Sequence, residues 1–381
     1  MPLSASPPSA KSPAPARLES IDALRGVAVL LVVCGHLWSD GGRTQWPVMS
    51  LLGQRLALNV VPYGYFGVDL FLVLSGFCLS LPFLSNAGRP FSLWRYVRTR
   101  FRRIYPPYFF TFPLLLAGGW LLRHVPNPDL RTVFFAQSLS AGSIVGGLTL
   151  QRTVLAAPFW TLCMEARWYV LFPLVLLFSR RFSALWLLPP SLIVTALCPS
   201  GFSSRYTVLI YLPVFIAGVF AAEVWTRPDH ALSKLLLRFV KPALATCVVV
   251  LVLFAPHSES IKRAALPEVL LGLVFCFFLT LSAVSRRGPL PAVLRVLQWI
   301  GTISYSLYLI HEPLMEIFSA LLHPLNWQPW EKFVFWQGGL LPVLIALSYL
   351  FHLVFERPFM SSPAPKTERQ AEAAAIVSPA P

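Results

Sequence analysis

Charge is scarce in this chain. Only 12% of its 381 residues are Asp, Glu, Lys or Arg, against 56% hydrophobic, and the mean hydropathy is +0.65. Soluble domains carry about 25% charged residues, so a water-soluble Rossmann or barrel enzyme is excluded, as is a disordered chain. A unit of this length stays this apolar only where lipid covers much of its surface. Acidic residues are scarcer still, 16 against 31 Lys and Arg, which leaves a net charge of +15. In a soluble protein that excess points to nucleic acid. In a membrane protein it marks cytoplasmic loops, and no nucleic-acid partner is expected. Cysteine is sparse as well. Cys34, Cys78, Cys163, Cys198, Cys247 and Cys276 each lie alone in or beside an apolar stretch, with no CxxC. They read as small hydrophobes rather than bridges or metal ligands. The chain also lacks GxSxG, GxGxxG and GxxxxGKS/T, and His311-Glu312 runs into Pro313 instead of completing HExxH. Serine-nucleophile, nucleotide-hydrolysing and zinc-protease chemistry therefore have no support, and no metal site is expected.

Long apolar runs dominate what is present. Runs of about 17–25 residues span a bilayer as helices. Ten are legible: 20–39, 64–84, 102–122, 158–179, 183–199, 205–225, 239–256, 265–285, 297–321 and 333–355. The stretch 131–150 is weaker and reads as re-entrant or interfacial. The fold class is thus an all-α polytopic membrane protein. Pro-, Ser- and Ala-rich tails at 1–16 and 361–381 bury too little to order and flank one membrane domain over 17–360. No cleavage site follows the first apolar run, which is expected to stay as a membrane helix. With the N-terminus in the cytoplasm, 21 of the 31 Lys and Arg fall on the cytoplasmic side and nine on the other, with Arg167 inside a span. This asymmetry places both termini in the cytoplasm and requires an even number of crossings.

Ionisable side chains inside a span are expensive and serve pairs, pathways or catalysis. The first run carries Asp22, Arg25 and His36. Eleven residues, three turns plus about 20°, put Arg25 and His36 on one face, roughly 16 Å apart along the axis. Arg25 then sits near the cytoplasmic entrance and His36 deep. A capped helix start with a snorkelling arginine fits the same residues. Asp69 can orient a histidine, pair an arginine or cap its own helix. In RYVRTRFRRIYPPYF, Arg100 and Arg103 are spaced i, i+3 and face one direction, as bidentate binding of phosphate needs; an anchor for anionic lipid is the plainer reading of the whole cluster. FWTLCMEARWYVLFP holds Trp160 and Glu165, the latter suited to orient a buried histidine or to pair Arg25. In IGTISYSLYLIHEPL, Ser304, Tyr305, Tyr308 and His311 form one polar stripe that faces a cavity or a neighbouring helix, with His311 a substrate contact or an interface residue.

Taken in order, these pieces resemble acyltransferase family 3, integral-membrane enzymes that acylate sugars and related hydroxyl compounds. The R-x10-H pattern at Arg25 and His36, YFGVDLFLVLSGF, the R-x-x-R pattern at Arg100 and Arg103, the tryptophan–glutamate helix with Glu165, ISYSLYLIHEP and the closing FERPF run from about Arg17 to Phe359. Ala166 stands where many relatives carry a second acid. About 22 residues follow Phe359, so the hydrolase-like domain that some relatives append is not expected. The resemblance implies a bacterial inner membrane and an acyl-CoA co-substrate, commonly acetyl-CoA, with no tightly bound cofactor. It also implies a carbohydrate or other hydroxyl acceptor. Arg25, Arg100 and Arg103 would hold the CoA phosphates, and His36 would act as general base with Glu165 or Asp69 orienting it. Asp22, Trp160, Tyr305, Tyr308 and His311 would line the pocket. A transient acyl-histidine is the other chemical route. A transporter or flippase for a lipid-linked or anionic solute is the runner-up, and homo-oligomerisation is left open.

Overall fold

In a computed structural model, residues 16–40, 48–51, 54–57, 64, 66–85, 91–198, 207–227, 291–323, 325 and 327–360 are described, with a few isolated positions between 233 and 275. The tails 1–15 and 361–381 and most of the runs 239–256 and 265–285 lie outside the described residues. What is described is helical, apart from one short antiparallel ribbon that pairs Val48–Leu51 with Gln54–Ala57.

The helices are α1 (Ala16–Asp40), α2 (Phe66–Ser85), α3 (Leu93–Leu122), α4 (Ala141–Leu148), α5 (Phe159–Arg181), α6 (Leu188–Leu197), α7 (Thr207–Ile210), α8 (Leu212–Thr226), α9 (Ala292–Thr302), α10 (Ser304–Leu322) and α11 (Trp330–Phe359). Within α11, Phe335–Leu340 and His352–Glu356 are π-helical. Among the described residues four helices are long and apolar enough to cross a bilayer: Glu19–Ser39 within α1, α2, α5 and α11; α9 with α10 makes a fifth if the bent pair is one span.

Several runs take a form the hydropathy does not show. The run 297–321 is not one straight helix but α9 and α10, bent by 72° at Ile303. The run 183–199 is a 3-10 turn, Ala184–Leu187, leading into the ten-residue α6, and 205–225 contains the fifteen-residue α8. Both fall short of the ~20 residues that a straight crossing needs. The stretch 131–150 is two 3-10 turns, Asp129–Thr132 and Phe134–Ala136, followed by α4, which has Ser140 as its N-cap. The arginine-rich segment is no loop. Ser92 caps α3 by accepting from the Arg95 amide, so Arg95 through Arg103 ride on the first turns of a 30-residue helix.

Helices approach closely where side chains vanish. Gly26 of α1 lies against the Leu297 carbonyl of α9, and Gly301 of α9 against the Asp22 carbonyl; a Cβ at either position would overlap backbone. Gly76 of α2 and Gly218 of α8 meet in the same way. Small residues that let backbones touch are the usual means of helix association where lipid removes the hydrophobic drive. Around these contacts sit two apolar clusters. One centres on Phe77, Trp168, Phe172 and Phe215, with Trp168 stacked on Phe215 at 4.3 Å. The other centres on Tyr108, Phe112, Phe159 and Leu307. Outward, Val170, Leu174 and Leu177 of α5 form an exposed apolar stripe at 76%, 66% and 61%, a surface suited to lipid rather than water.

The backbone contact at Gly301 leaves no room for a methyl group. Gly301→Ala should destabilise the protein by about 1–3 kcal/mol through overpacking, read as a lowered unfolding midpoint in detergent, while Gly338→Ala, which meets nothing within 4 Å, leaves the midpoint in place.

Candidate active site

Five helices wall a cavity. Arg25 enters from α1, Arg100 and Arg103 from α3, Glu165 and Tyr169 from α5, and Tyr305 and Tyr308 from α10, with Ser75 and Cys78 from α2. The helical spacing that put Arg100 and Arg103 on one face of α3 brings both to the same wall. Arg25 is held by Asp22 at 3.7 Å. Arg100 and Arg103 form no ion pair among the described residues. The Arg100 Nε is buried without a hydrogen-bond partner, as is the Ser304 Oγ on the same wall. Tyr169 donates to Glu165 Oε1 at 2.6 Å, and Tyr305 donates to the Ile104 carbonyl at 2.8 Å. The cavity therefore offers cationic donors at one end and tyrosine hydroxyls along its length.

At the other end the cavity stops at Tyr308. The Thr161 hydroxyl donates to the Tyr308 hydroxyl at 2.6 Å, which in turn donates to the Pro158 carbonyl at 2.9 Å. Phe71 stands edge-on to the Tyr308 ring at 6.1 Å. Behind this wall lie two histidines. The His311 ring is 5.5 Å from that of Tyr308 and 5.2 Å, edge-to-face, from that of His36. His311 is fully buried; its Nδ1 lies 2.8 Å from the Tyr308 carbonyl and its Nε2 has no hydrogen-bond partner. A carbonyl only accepts, so Nδ1 carries the proton and Nε2 keeps its lone pair. His36 Nδ1 faces Glu312 Oε1 at 3.9 Å.

The sequence-derived candidates separate accordingly. Arg25, Arg100, Arg103, Glu165, Tyr305 and Tyr308 meet at one cavity, and Asp22 stands behind Arg25. His36 and His311 are together but beyond the wall, not on the lining. Glu165 pairs with Tyr169 rather than with Arg25, and it is not the carboxylate beside His36. Asp69 is buried in the first turn of α2 and off the lining, and Trp160 packs its ring 5.8 Å from Tyr211. The carboxylate beside His36 is Glu312, which sequence reading considered only as half of a failed zinc motif.

Such a combination of anion-ready guanidiniums and neighbouring buried imidazoles in a membrane bundle suits acyl transfer from a phosphorylated donor. The family model described as an acyltransferase domain matches residues 18–353, nearly the whole chain. The chain belongs to acyltransferase family 3. It is a membrane acyltransferase. Over 380 residues it is 26% identical to a protein of Komagataeibacter xylinus named as membrane-bound transacylase BcsY, covering 95% of this chain and 88% of that one. It is 21% identical over 370 residues to the peptidoglycan O-acetyltransferase OatA of Listeria monocytogenes serovar 1/2a, covering 87% of this chain and 54% of that protein. The chain thus spans about half the length of OatA.

A second buried polar group fastens the acyltransferase bundle beside the cavity. Ser306 of α10 donates to Glu356 Oε2, and His352 Nδ1 donates to the same oxygen at 2.8 Å. All three side chains are buried. The π-turn His352–Glu356 places both partners on the α10 side of α11. Glu356→Ala strands two buried donors and should destabilise by about 1–3 kcal/mol for each, measured as a lowered unfolding midpoint. Glu356→Gln, which keeps an acceptor oxygen, should lose less.

Proposed function

We propose that this enzyme moves an acyl group, acetyl in the simplest case, from cytoplasmic acyl-CoA to a hydroxyl of a carbohydrate or related acceptor, with His36 as the general base. The observation that carries the reading is the convergence of Arg25, Arg100 and Arg103 on one cavity whose Tyr308 wall touches His311, which in turn packs edge-on to His36. Phosphate oxygens of CoA would take the donors that Arg100 and Arg103 leave free, since guanidinium forks suit such groups. The pantetheine arm would run past Glu165, Tyr169 and Tyr305 towards Tyr308. Movement of the Tyr308 ring would admit the thioester to His36.

In this reading Glu312, which faces His36 Nδ1 at 3.9 Å, would close on it to hold a proton there and leave Nε2 free to accept. The acceptor oxygen gives its proton to Nε2 and bonds to the thioester carbonyl carbon. The tetrahedral intermediate then breaks its C–S bond, and the departing sulfur takes the proton back from the imidazolium. Glu312 thus replaces Glu165 and Asp69 as the orienting carboxylate, and Glu165 is assigned to the donor cavity.

The proposal extends to ten crossings of a bacterial inner membrane with both termini cytoplasmic. Helix directions support the parity. Going from the arginine end to the histidine end, α1, α3 and α10 run forwards, whereas α2, α5 and α11 run backwards, as the contacts Phe71–Tyr308, Tyr169–Arg103 wall and Gln337–Cys34 require. Odd-numbered crossings share one direction and even-numbered ones the other when 239–256 and 265–285 are counted as crossings.

The test is turnover of acetyl-CoA by the full chain in lipid nanodiscs, with released thiol and acylated acceptor as readouts. His36→Ala should lower kcat by about 10²–10⁴. Arg103→Lys should raise the KM for acetyl-CoA by about tenfold, the loss of roughly one charge-assisted hydrogen bond, with less effect on kcat. Undiminished turnover by His36→Ala overturns the assignment of the base. Solute flux across sealed vesicles with no acetyl-CoA turnover would favour the transporter reading. Protein labelling by radioactive acetyl-CoA before acceptor is added would replace direct transfer with an acyl-histidine.

A further inference from the structure

The lining of the arginine cavity changes character along its length. Val68, Phe71, Ser75 and Cys78 follow at i, i+3, i+7 and i+10 of α2, so they share one face, and all four line the cavity. Over about 15 Å of helix that face passes from a thiol within electrostatic reach of the three arginines to an aromatic ring beside Tyr308. The lining of α5 repeats the change. Tyr169 and Glu165 stand within reach of Arg103, and Leu162 lies next to the Thr161 that holds Tyr308.

The seams at the apolar end are tight. A Cβ at Gly67, one residue before Val68, would overlap the Ala28 carbonyl, so the backbones of α1 and α2 touch there. Between α5 and α10 the hydroxyls of Thr161 and Tyr308 meet at 2.6 Å, and Leu162 is buried. Tyr308 is tied in turn to the Pro158 carbonyl. Phe71 differs from these neighbours. It is half-buried, its ring stands edge-on to Tyr308 at 6.1 Å, and a benzyl group forms no hydrogen bond that could tether it. Packing alone sets its position at the closed end.

We propose that Phe71 sets the length of acyl group that the donor can carry, admitting acetyl and turning away hexanoyl and longer chains. The proposal rests on the donor reading above, in which the phosphates lie at Arg100 and Arg103 and the thioester arrives at Tyr308. With the thioester there, before the Tyr308 ring moves, the acyl group lies against Phe71, Val68 and Leu162. A longer chain needs the volume that the Phe71 ring occupies, and the backbone contact at Gly67 prevents α2 from stepping aside. Packed apolar surfaces resist added methylenes, and enzyme pockets distinguish a single one by about 10- to 200-fold. An end open to lipid or to the acceptor would behave in the opposite way. Each added methylene would then be buried, and affinity would rise roughly fourfold per methylene.

The test is binding of coenzyme A, acetyl-CoA, butyryl-CoA and hexanoyl-CoA to the full-length protein in nanodiscs, with no acceptor present and binding to empty nanodiscs subtracted. Wild type should bind hexanoyl-CoA about tenfold or more weakly than acetyl-CoA, with butyryl-CoA between them. Phe71→Ala should raise the hexanoyl-to-acetyl affinity ratio by about tenfold or more, and Phe71→Leu by a smaller factor. A merely structural ring would weaken all three thioesters together and leave the ratio in place. The proposal is overturned if wild type binds hexanoyl-CoA as tightly as acetyl-CoA or more tightly, a result that depends on no variant folding. It is overturned too if either Phe71 variant binds coenzyme A yet keeps the wild-type ratio. Failure of the donor reading shows separately, as coenzyme A affinity that Arg103→Ala does not change, and it removes the acyl proposal with it.

Discussion

Arg25, Arg100 and Arg103 bring three guanidinium groups to one cavity inside an apolar bundle, and only the first has a carboxylate in contact. Arg25 and Arg100 are half-buried and Arg103 is exposed, so like charges are gathered at a partly solvated site with little counter-charge, which is unfavourable. Solvent at the mouth of the cavity relieves some of that, while the Arg100 Nε is buried without a hydrogen-bond partner among the described residues. An anion bound at this cavity, as proposed above, would offset that repulsion. Other features near the mouth serve the same balance: Asp22 beside Arg25, Tyr96 beneath the Arg100 guanidinium at 6.0 Å, and Glu165 drawn to Tyr169 rather than to a guanidinium. A Glu165–Arg pair would neutralise part of the cluster, and its absence keeps the positive potential available.

Holding that cluster together requires helices from distant parts of the chain to touch at fixed heights. Backbone contact at Gly26 and Gly301 sets α9 against α1, and the 72° bend at Ile303 then turns α10 so that its polar stripe runs alongside α1. Without the bend, Tyr305 and Tyr308 could not face Arg25's cavity while His311 faces His36. Glycine contacts are unforgiving of a single methyl group, so the position of the imidazoles relative to the guanidiniums is set by steric exclusion rather than by polar bonds spread along the interface.

Much of the arginine-lined cavity was legible in the sequence because ionisable residues are rare in spans. Each one had to be explained, and helical spacing assigned its face. Arg25, Arg100, Arg103, Tyr305 and Tyr308 follow that logic and meet on one cavity. The failures have physical reasons too. Glu312 lies within an HE pair, and in one dimension it belonged to a broken metal motif; only the packing of α10 on α1 places it beside His36. Trp160 looked like a pocket aromatic, yet Tyr211 offers it a ring across the bundle. Asp69 is buried in the first turn of α2, away from the cavity lining. The bend at Ile303 left no hydropathy signal, because both arms of the run are apolar and a break changes direction, not composition.

In the proposed reaction the wall at Tyr308 would have a chemical use. An acyl-CoA thioester exposed to a basic imidazole and to water is hydrolysed, which discards the donor. Placing the imidazole behind a hydrogen-bonded tyrosine keeps donor and base apart until something displaces the ring. In the proposed reaction that displacement would be most useful with both substrates bound, since expulsion of water strengthens each electrostatic contact at the reacting atoms. The Tyr308 hydroxyl is held by Thr161 and Pro158 at the start of α5, and the same helix carries Glu165 and Tyr169 on the donor cavity. A shift of α5 on filling that cavity would therefore act on the wall directly. Tyr308 lines the cavity and also contacts His311 behind it, so the proposed coupling would need no longer path than one side chain.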